Sequence, residues 1–256
     1  MTHTSTPIIL KNGFSLIEMA IVLFIVALLL GGLLPTVSSQ IEQQRTNETR
    51  KQLDEIQQAL IGFAFANGRF PCPAVGTTPN DQPTAGKEGL KLGTIGPNLE
   101  CANAQGVLPW ADLGVNETDS WGRRFTYRVT LQFADAIELA TYSSCATAPS
   151  PTPLFSSFAL CSNGNIFVRT KSTGGTIIAS TIPAVVVSHG TNGFGGYLPT
   201  GLQVLPVPAA NVDEIENSDT NFNFVSHGNS PIFDDIVAWI SPNILFNRMV
   251  SAGKLP

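Results

Sequence analysis

The chain has 256 residues, a net charge of −5 and only 13% charged residues, while Gly (23) and Pro (18) are plentiful. The acidic balance, with no basic cluster to offset it, excludes nucleic-acid binding as the main role. The length suits one domain of ordinary size, or a core with appendages.

Residues 1–13 carry Lys11 and no acid, a bias toward a cytoplasmic N-terminus with the bulk of the chain exported. From Phe14 to Leu34 only Ser15 and Glu18 are polar. A helix of that length spans roughly 30 Å, the hydrocarbon thickness of a bilayer. Glu18 is out of place there: an ionised acid inside a membrane segment costs about 2.5–3.5 kcal/mol unless it is paired or interfacial. It lies one helical turn past Phe14. A cut between Gly13 and Phe14 would create an α-amino group there, a cation of the right sign on this subunit or on a neighbour. Three plainer readings compete: a secretory signal peptide cut before Gln40, an uncleaved signal anchor, and a buried helix of a soluble domain, for which nothing else in the chain is apolar enough to surround it. The first two do not account for the Gly-Phe junction and the acid together.

Gly13-Phe14-Ser15-Leu16-Ile17-Glu18, following Lys11, resembles the prepilin cleavage and methylation site of type IV pilins and type II secretion pseudopilins. The resemblance implies that a prepilin peptidase cuts after Gly13 and methylates Phe14, and that Glu18 sets subunit register during filament assembly. It also implies a pilin-like α+β fold, in which a long N-terminal helix packs on an antiparallel sheet head with a short C-terminal helix. Residues 1–13 would then be the leader, 14–35 a transmembrane and filament-core helix, 36–68 its amphipathic half, and 69–256 a periplasmic head. Partners would be other subunits, the peptidase and the inner-membrane assembly platform. The expected product is a structural subunit, minor or specialised because the head is large, anchored in the inner membrane before it joins a pilus or pseudopilus.

Pro35 follows Gly31 and Gly32 closely, so the helix is expected to kink or loosen there; in the resembled family a Pro at this distance is common. Beyond it, Leu53, Ile56, Leu60 and Phe63 recur at spacings of three and four, a narrow stripe for a head to pack on. Asn67-Gly68, with Pro71 beyond, marks the stop. Arg69 to Asp119 reads as loop, with Gly106 to Trp110 returning to the core, and it holds no phosphate-binding pattern.

Four cysteines fit an oxidising compartment. Three pairings are open; joining neighbours, Cys72–Cys101 and Cys145–Cys161, would staple two Pro-rich loops at about 3 kcal/mol for a loop near 15 residues. No Cys-x-x-Cys spacing exists, which argues against a metal site or haem attachment.

Phe125, Tyr127 and Val129 alternate in a strand launched by Trp121-Gly122. Ile166–Val168, Ile177–Ala179 and Ala184–Val187 give further short strands, and Ala134 to Thr141 a helical turn. Turn-rich connections argue for an antiparallel sheet with little room for crossovers. Leu198 to Asn229 is a Pro-rich, acidic excursion with an edge strand at Phe222 to Val225. Ser241 suits the N-cap of a last helix, with Pro242 in its first position and Gly253 its stop.

Asp119 to Gly122, the Gly-rich stretch Ser188 to Gly196, and Asp234 to Trp239 are similar to the head of the major pseudopilin of type II secretion. In that family the Gly-rich loop and the Asp-Ile segment are implied to bind calcium. Carried over, the oxygen donors are Asn192, in place of an acid, with Asp234 and Asp235. On the residues alone the acid pair reads as a solvated turn or cap, and no cofactor is required.

Ser-His-Gly occurs twice, at Ser188 and Ser226, and with Asp213 or Asp235 a Ser/His/Asp site can be sketched. Adjacent side chains on a strand point to opposite faces, and no Gly-x-Ser-x-Gly elbow exists. The chain is therefore expected not to be an enzyme. The competing functions are a membrane-tethered periplasmic enzyme and an adhesin-like head that binds through residues 197–231.

Overall fold

The computed structural model describes residue 13 and residues 15–92, 99–136 and 156–255, apart from the side chains of residues 30–37. The chain divides into two compact units, Met1–Gln44 and Arg45–Pro256. Its elements in order are α1 (Leu16–Asn67), β1 (Gln105–Val107), α2 (Trp110–Leu113), β2 (Thr126–Val129), β3 (Ile166–Arg169), β4 (Ile177–Ile182), β5 (Ala184–Ser188), α3 (Val212–Ser218), β6 (Asn223–Val225), β7 (Ile236–Trp239) and α4 (Pro242–Ser251). This is the α+β arrangement expected: a long N-terminal helix, a largely antiparallel sheet head and a short C-terminal helix.

In the first unit, the large apolar side chains described between Leu16 and Leu29 are exposed, Leu16 to 92%. The helical assignment of α1 runs unbroken through Gly31, Gly32 and Pro35, so the loosening expected there does not interrupt it.

In the second unit, α1 buries Leu53, Ile56, Leu60, Ile61 and Ala64. The stripe thus continues through Ala64. Phe63, expected on it, is only half-buried and instead carries the Arg69 guanidinium 5.4 Å from its ring centroid. α1 stops as its sequence predicts: Gly68 takes the left-handed φ of 68°, and its N–H donates to the Ala64 carbonyl at 2.8 Å.

Four strands form one antiparallel sheet in the order β1-β2-β5-β7. A second sheet has the order β4-β3-β6. β3 pairs antiparallel with β4 but parallel with β6, against the all-antiparallel expectation. The connection from β3 to β6 is long enough to contain β4, β5 and α3, which satisfies the crossover a parallel pair needs. β6 is at the sheet edge, as its sequence suggested.

β5 explains its own unbroken apolar run. Ala184 and Val186 enter the core made by α1, Phe125, Tyr127, Phe133, Phe158 and the α4 residues Leu245 and Met249. Val185 and Val187 enter a second core with Ile166, Val168, Ile182 and Phe224. A strand buried on both faces has no polar side to display.

The stretch read as loop, Arg69 to Asp119, contains β1 and α2 and is held by polar ties. Arg69 Nη1 pairs with Glu88 Oε1 at 2.6 Å, and Glu88 Oε1 accepts the Cys72 N–H at 2.7 Å. Arg124 is fully buried; it donates to Glu117 and to the carbonyls of Gly76, Thr78 and Pro199. A buried guanidinium is tolerated because its donors are matched. α4 begins at Pro242 as expected, but the Ser241 hydroxyl makes no capping bond. The helical turn read at Ala134 is a 3-10 turn at Leu131–Phe133; residues 137–141 lie outside the described residues.

Candidate functional site

The Gly-rich loop after β5, the start of α3 and the loop before β7 bring three carboxylates together. One oxygen each of Glu214, Asp234 and Asp235 lie within 4.8 Å of one another. Glu214 and Asp235 are buried. The Asn192 N–H donates to Asp234 Oδ2 at 2.9 Å, and its side-chain amide donates to Glu214 Oε1 at 2.7 Å. Asn211 and Asn217 donate to Glu214 Oε2 and Asp235 Oδ2 at 2.6 and 2.9 Å. Gly190 permits the approach: its φ is 50°, and a Cβ there would stand 2.3 Å from the Asp234 carbonyl oxygen.

Asn192 Oδ1 accepts the Phe194 N–H at 2.8 Å, while its NH2 faces the acids, and the carboxylate that gathers with Asp234 and Asp235 is that of Glu214. Two oxygens, Asp234 Oδ1 and Asp235 Oδ1, are buried without a hydrogen-bond partner among the described residues. Burial pushes the Asp234 carboxyl up to about 6, helped by the neighbouring charges of Asp235 and Glu214 and opposed by the Asn192 N–H. Burial also raises Asp235, against the help of His189 and Asn217. Buried, like-charged oxygens with unmet acceptor capacity fit a hard dication.

The same region dissolves the Ser/His sketch. Ser188 Oγ donates to Asp119 Oδ2 at 2.7 Å, and His189 Nε2 meets Thr126 Oγ1 at 2.7 Å; both residues are fully buried. His189 Nδ1 is 3.6 Å from Asp235 Oδ1, beyond hydrogen-bond reach. His227 uses Nδ1 on the Gly228 carbonyl at 2.7 Å and Nε2 on Asp213 at 3.2 Å. Among the described residues neither of these histidines is hydrogen-bonded to a serine hydroxyl, so the Ser188 and Ser226 sketches are not assembled here.

Cys72 and Cys101 form a disulfide across a separation of 29 residues, one of the two expected staples. Cys161 is also disulfide-bonded, while Cys145 lies outside the described residues.

At the N-terminus, Gly13 is exposed and non-helical, and α1 begins at Leu16. The Ser15 N–H donates to Glu18 Oε2 at 2.8 Å, and Ser15 Oγ accepts the Ile17 N–H at 3.2 Å. The Ser15 carbonyl accepts the Met19 N–H at 3.2 Å. Ser15 and Glu18 thus form a reciprocal cap on the first turn. The helix starts just past the Gly13-Phe14 junction, and the lone acid faces back toward it. Phe14 itself lies outside the described residues. Residues 10–34 match the prokaryotic N-terminal methylation motif, the signal of type IV pilins and pseudopilins. No curated protein and no solved structure matches the chain.

The pilin signal supports a substrate of the type IV pilin or pseudopilin kind, and such substrates are structural proteins, processed by prepilin peptidase and assembled with other subunits. The α+β head behind it is consistent with the pilin-like fold. Among the described residues no helix is long and apolar enough to cross a membrane. Glu214 went unread in the sequence because it sits in a Pro-rich, acidic stretch. The signal for α3 was present in Asn211 followed by Asp213 and Glu214, a helix-start pattern.

Proposed function

We propose that the chain is the precursor of a filament subunit, cut after Gly13 by a prepilin peptidase and methylated on Phe14. The leader is lost, the apolar start of α1 holds the chain in the inner membrane with its head in the periplasm, and the same segment then packs into a pilus or a type II secretion pseudopilus. The observation that carries this reading is the methylation motif at residues 10–34, followed directly by a helix whose first turn holds Glu18 against the Ser15 amide. On cleavage, a cation appears at Phe14, and Glu18 can exchange the Ser15 N–H for that amine on a neighbouring subunit. Pro35 would modulate the helix within the filament. The large head and its long excursion support a minor or specialised role.

Co-expression with a prepilin peptidase in a strain lacking its own tests the processing step. Cleavage should depend on the peptidase and fail in Gly13→Leu; peptidase-independent cleavage before Gln40 would refute it.

The acid cluster supports a second element of this reading: a calcium ion held by Glu214, Asp234 and Asp235 that fastens α3 and the Gly-rich loop to β7. Asp234 Oδ1, buried without a hydrogen-bond partner among the described residues, supports it, as does Asp235 Oδ1, which has His189 Nδ1 as its neighbour at 3.6 Å. Added calcium should raise the melting temperature of the full chain, and Asp234→Asn should remove that response; an equal response in the variant would place the ion elsewhere.

A further inference from the structure

The outer side of β6 is closed by side chains rather than by a strand. β6 ends the second sheet, and an edge strand leaves backbone N–H and C=O groups to be matched by something else. The Asn223 N–H donates to Asn221 Oδ1 at 2.6 Å. At Val225 a single carboxamide meets both backbone groups: Asn217 Oδ1 accepts the Val225 N–H at 2.7 Å, and Asn217 Nδ2 donates to the Val225 carbonyl at 3.0 Å. Asn217, near the end of α3, stands where a paired strand residue would stand.

The same Asn217 Nδ2 also donates to Asp235 Oδ2, at 2.9 Å. Asn217 is fully buried, and its three bonds make that burial tolerable. They fix its orientation as well. With oxygen and nitrogen exchanged, the amide carbonyl would face the Asp235 carboxylate and the NH2 would face the Val225 N–H. One amide therefore joins the acid cluster to the edge of the second sheet.

Glu214 stands three residues before Asn217 on α3, and residues at that spacing share a helix face. Both are fully buried. One short helix thus carries a member of the acid cluster and the closure of β6, so its seating sets both. The oxygens of Glu214, Asp234 and Asp235 lie within 4.8 Å of one another; when ionised and bare they repel, and the repulsion acts on α3 through Glu214. Cancelling it draws Glu214 toward the two aspartates and seats Asn217 on Val225. Both α3 and β6 belong to the excursion at residues 198–229, the part of the head with the longest connections.

We propose that Asn217 is a positioning residue that couples cation binding at Glu214, Asp234 and Asp235 to the closing of the β6 edge, so that the order of α3 and β6 follows the occupancy of the acid cluster. The coupling rests on the calcium reading above, and its test separates the two. Calcium binding to the full chain in detergent is measured by titration calorimetry, and hydrogen exchange of the Val225 amide is followed with chelator and with calcium at about 10 mM. In the unaltered chain calcium should slow that exchange about tenfold. In Asn217→Ala calcium should still bind, about fivefold more weakly, but should no longer slow exchange at Val225. Equal slowing in the variant would mean that the ion reaches β6 by another route and would overturn the proposal. Calcium binding without any slowing at Val225 in the unaltered chain would overturn it too, and that comparison needs no variant to fold. Calorimetry that detects no calcium binding would remove the ion reading and the coupling together.

Discussion

Between Leu16 and Leu29 the described large apolar side chains are exposed, while in the head Leu53, Ile56 and Leu60 on the same helix are no more than 2% exposed. Residue type is shared; what covers it is not. The head buries its apolar side chains against its own strands and against α4, so its sequence answers to contacts inside the chain. The described large apolar side chains of the first segment are exposed, the kind of surface that marks contacts outside the fold; on the proposed reading these are a bilayer, a peptidase and neighbouring subunits. The acids divide the same way. Glu18 is exposed and tied to one backbone amide. Glu214 and Asp235 are buried among asparagine donors.

The largest effect that sharpens this contrast is on assembly. Glu18→Val should still be cut after Gly13, but its incorporation into filaments, read by immunoblot of sheared fractions, should fall about tenfold or more, because the new amine loses its partner in an apolar setting. Normal incorporation would remove Glu18 from the mechanism. Next, Leu60→Ala should destabilise the head by about 3 kcal/mol in denaturant melts, a transfer and cavity cost. Leu23→Ala should leave the melt unchanged and impair assembly instead; equal destabilisation by both would erase the distinction between the two regions.

A smaller effect belongs to the acid cluster. Asp234 titrates near 6 in the folded head, against an ordinary value of 3.8, so the fold gains a proton between these values. Its contribution to stability is fullest below the lower value and is lost as pH rises through the upper one. Metal-free chain should therefore gain stability from pH 7 to pH 5 through this group. Calcium should raise the melting temperature by about 3 °C at pH 7 and by less at pH 5, where protons compete for the same oxygens. The smallest effect is expected at Ser241. Losing an N-cap serine commonly costs about 1 kcal/mol, but this hydroxyl makes no capping bond, so Ser241→Ala should change stability by less than about 0.5 kcal/mol.

Legibility followed the range of the interactions. The stripe on α1, its stop at Gly68 and the β5 run are local patterns, and they survive in the structure with shifts of a residue or two; the Gly13 to Glu18 motif is local too and lies inside the matched residues 10–34. The parallel pairing of β3 with β6 joins residues such as Val168 and Phe224, and no local pattern encodes that choice. The acid cluster was half legible: Asp234 and Asp235 are neighbours in the sequence, but Glu214 arrives from α3. That Asn192 turns its NH2 toward Glu214 is likewise set by tertiary placement.

Everything proposed for the first segment rests on one bond, the peptide between Gly13 and Phe14. Intact-mass and N-terminal analysis of the protein recovered from its native membranes or filaments tests it directly. The account predicts a chain that begins at Phe14 and carries one added methyl group on its amine. A chain beginning at Met1 or at Gln40 would contradict it.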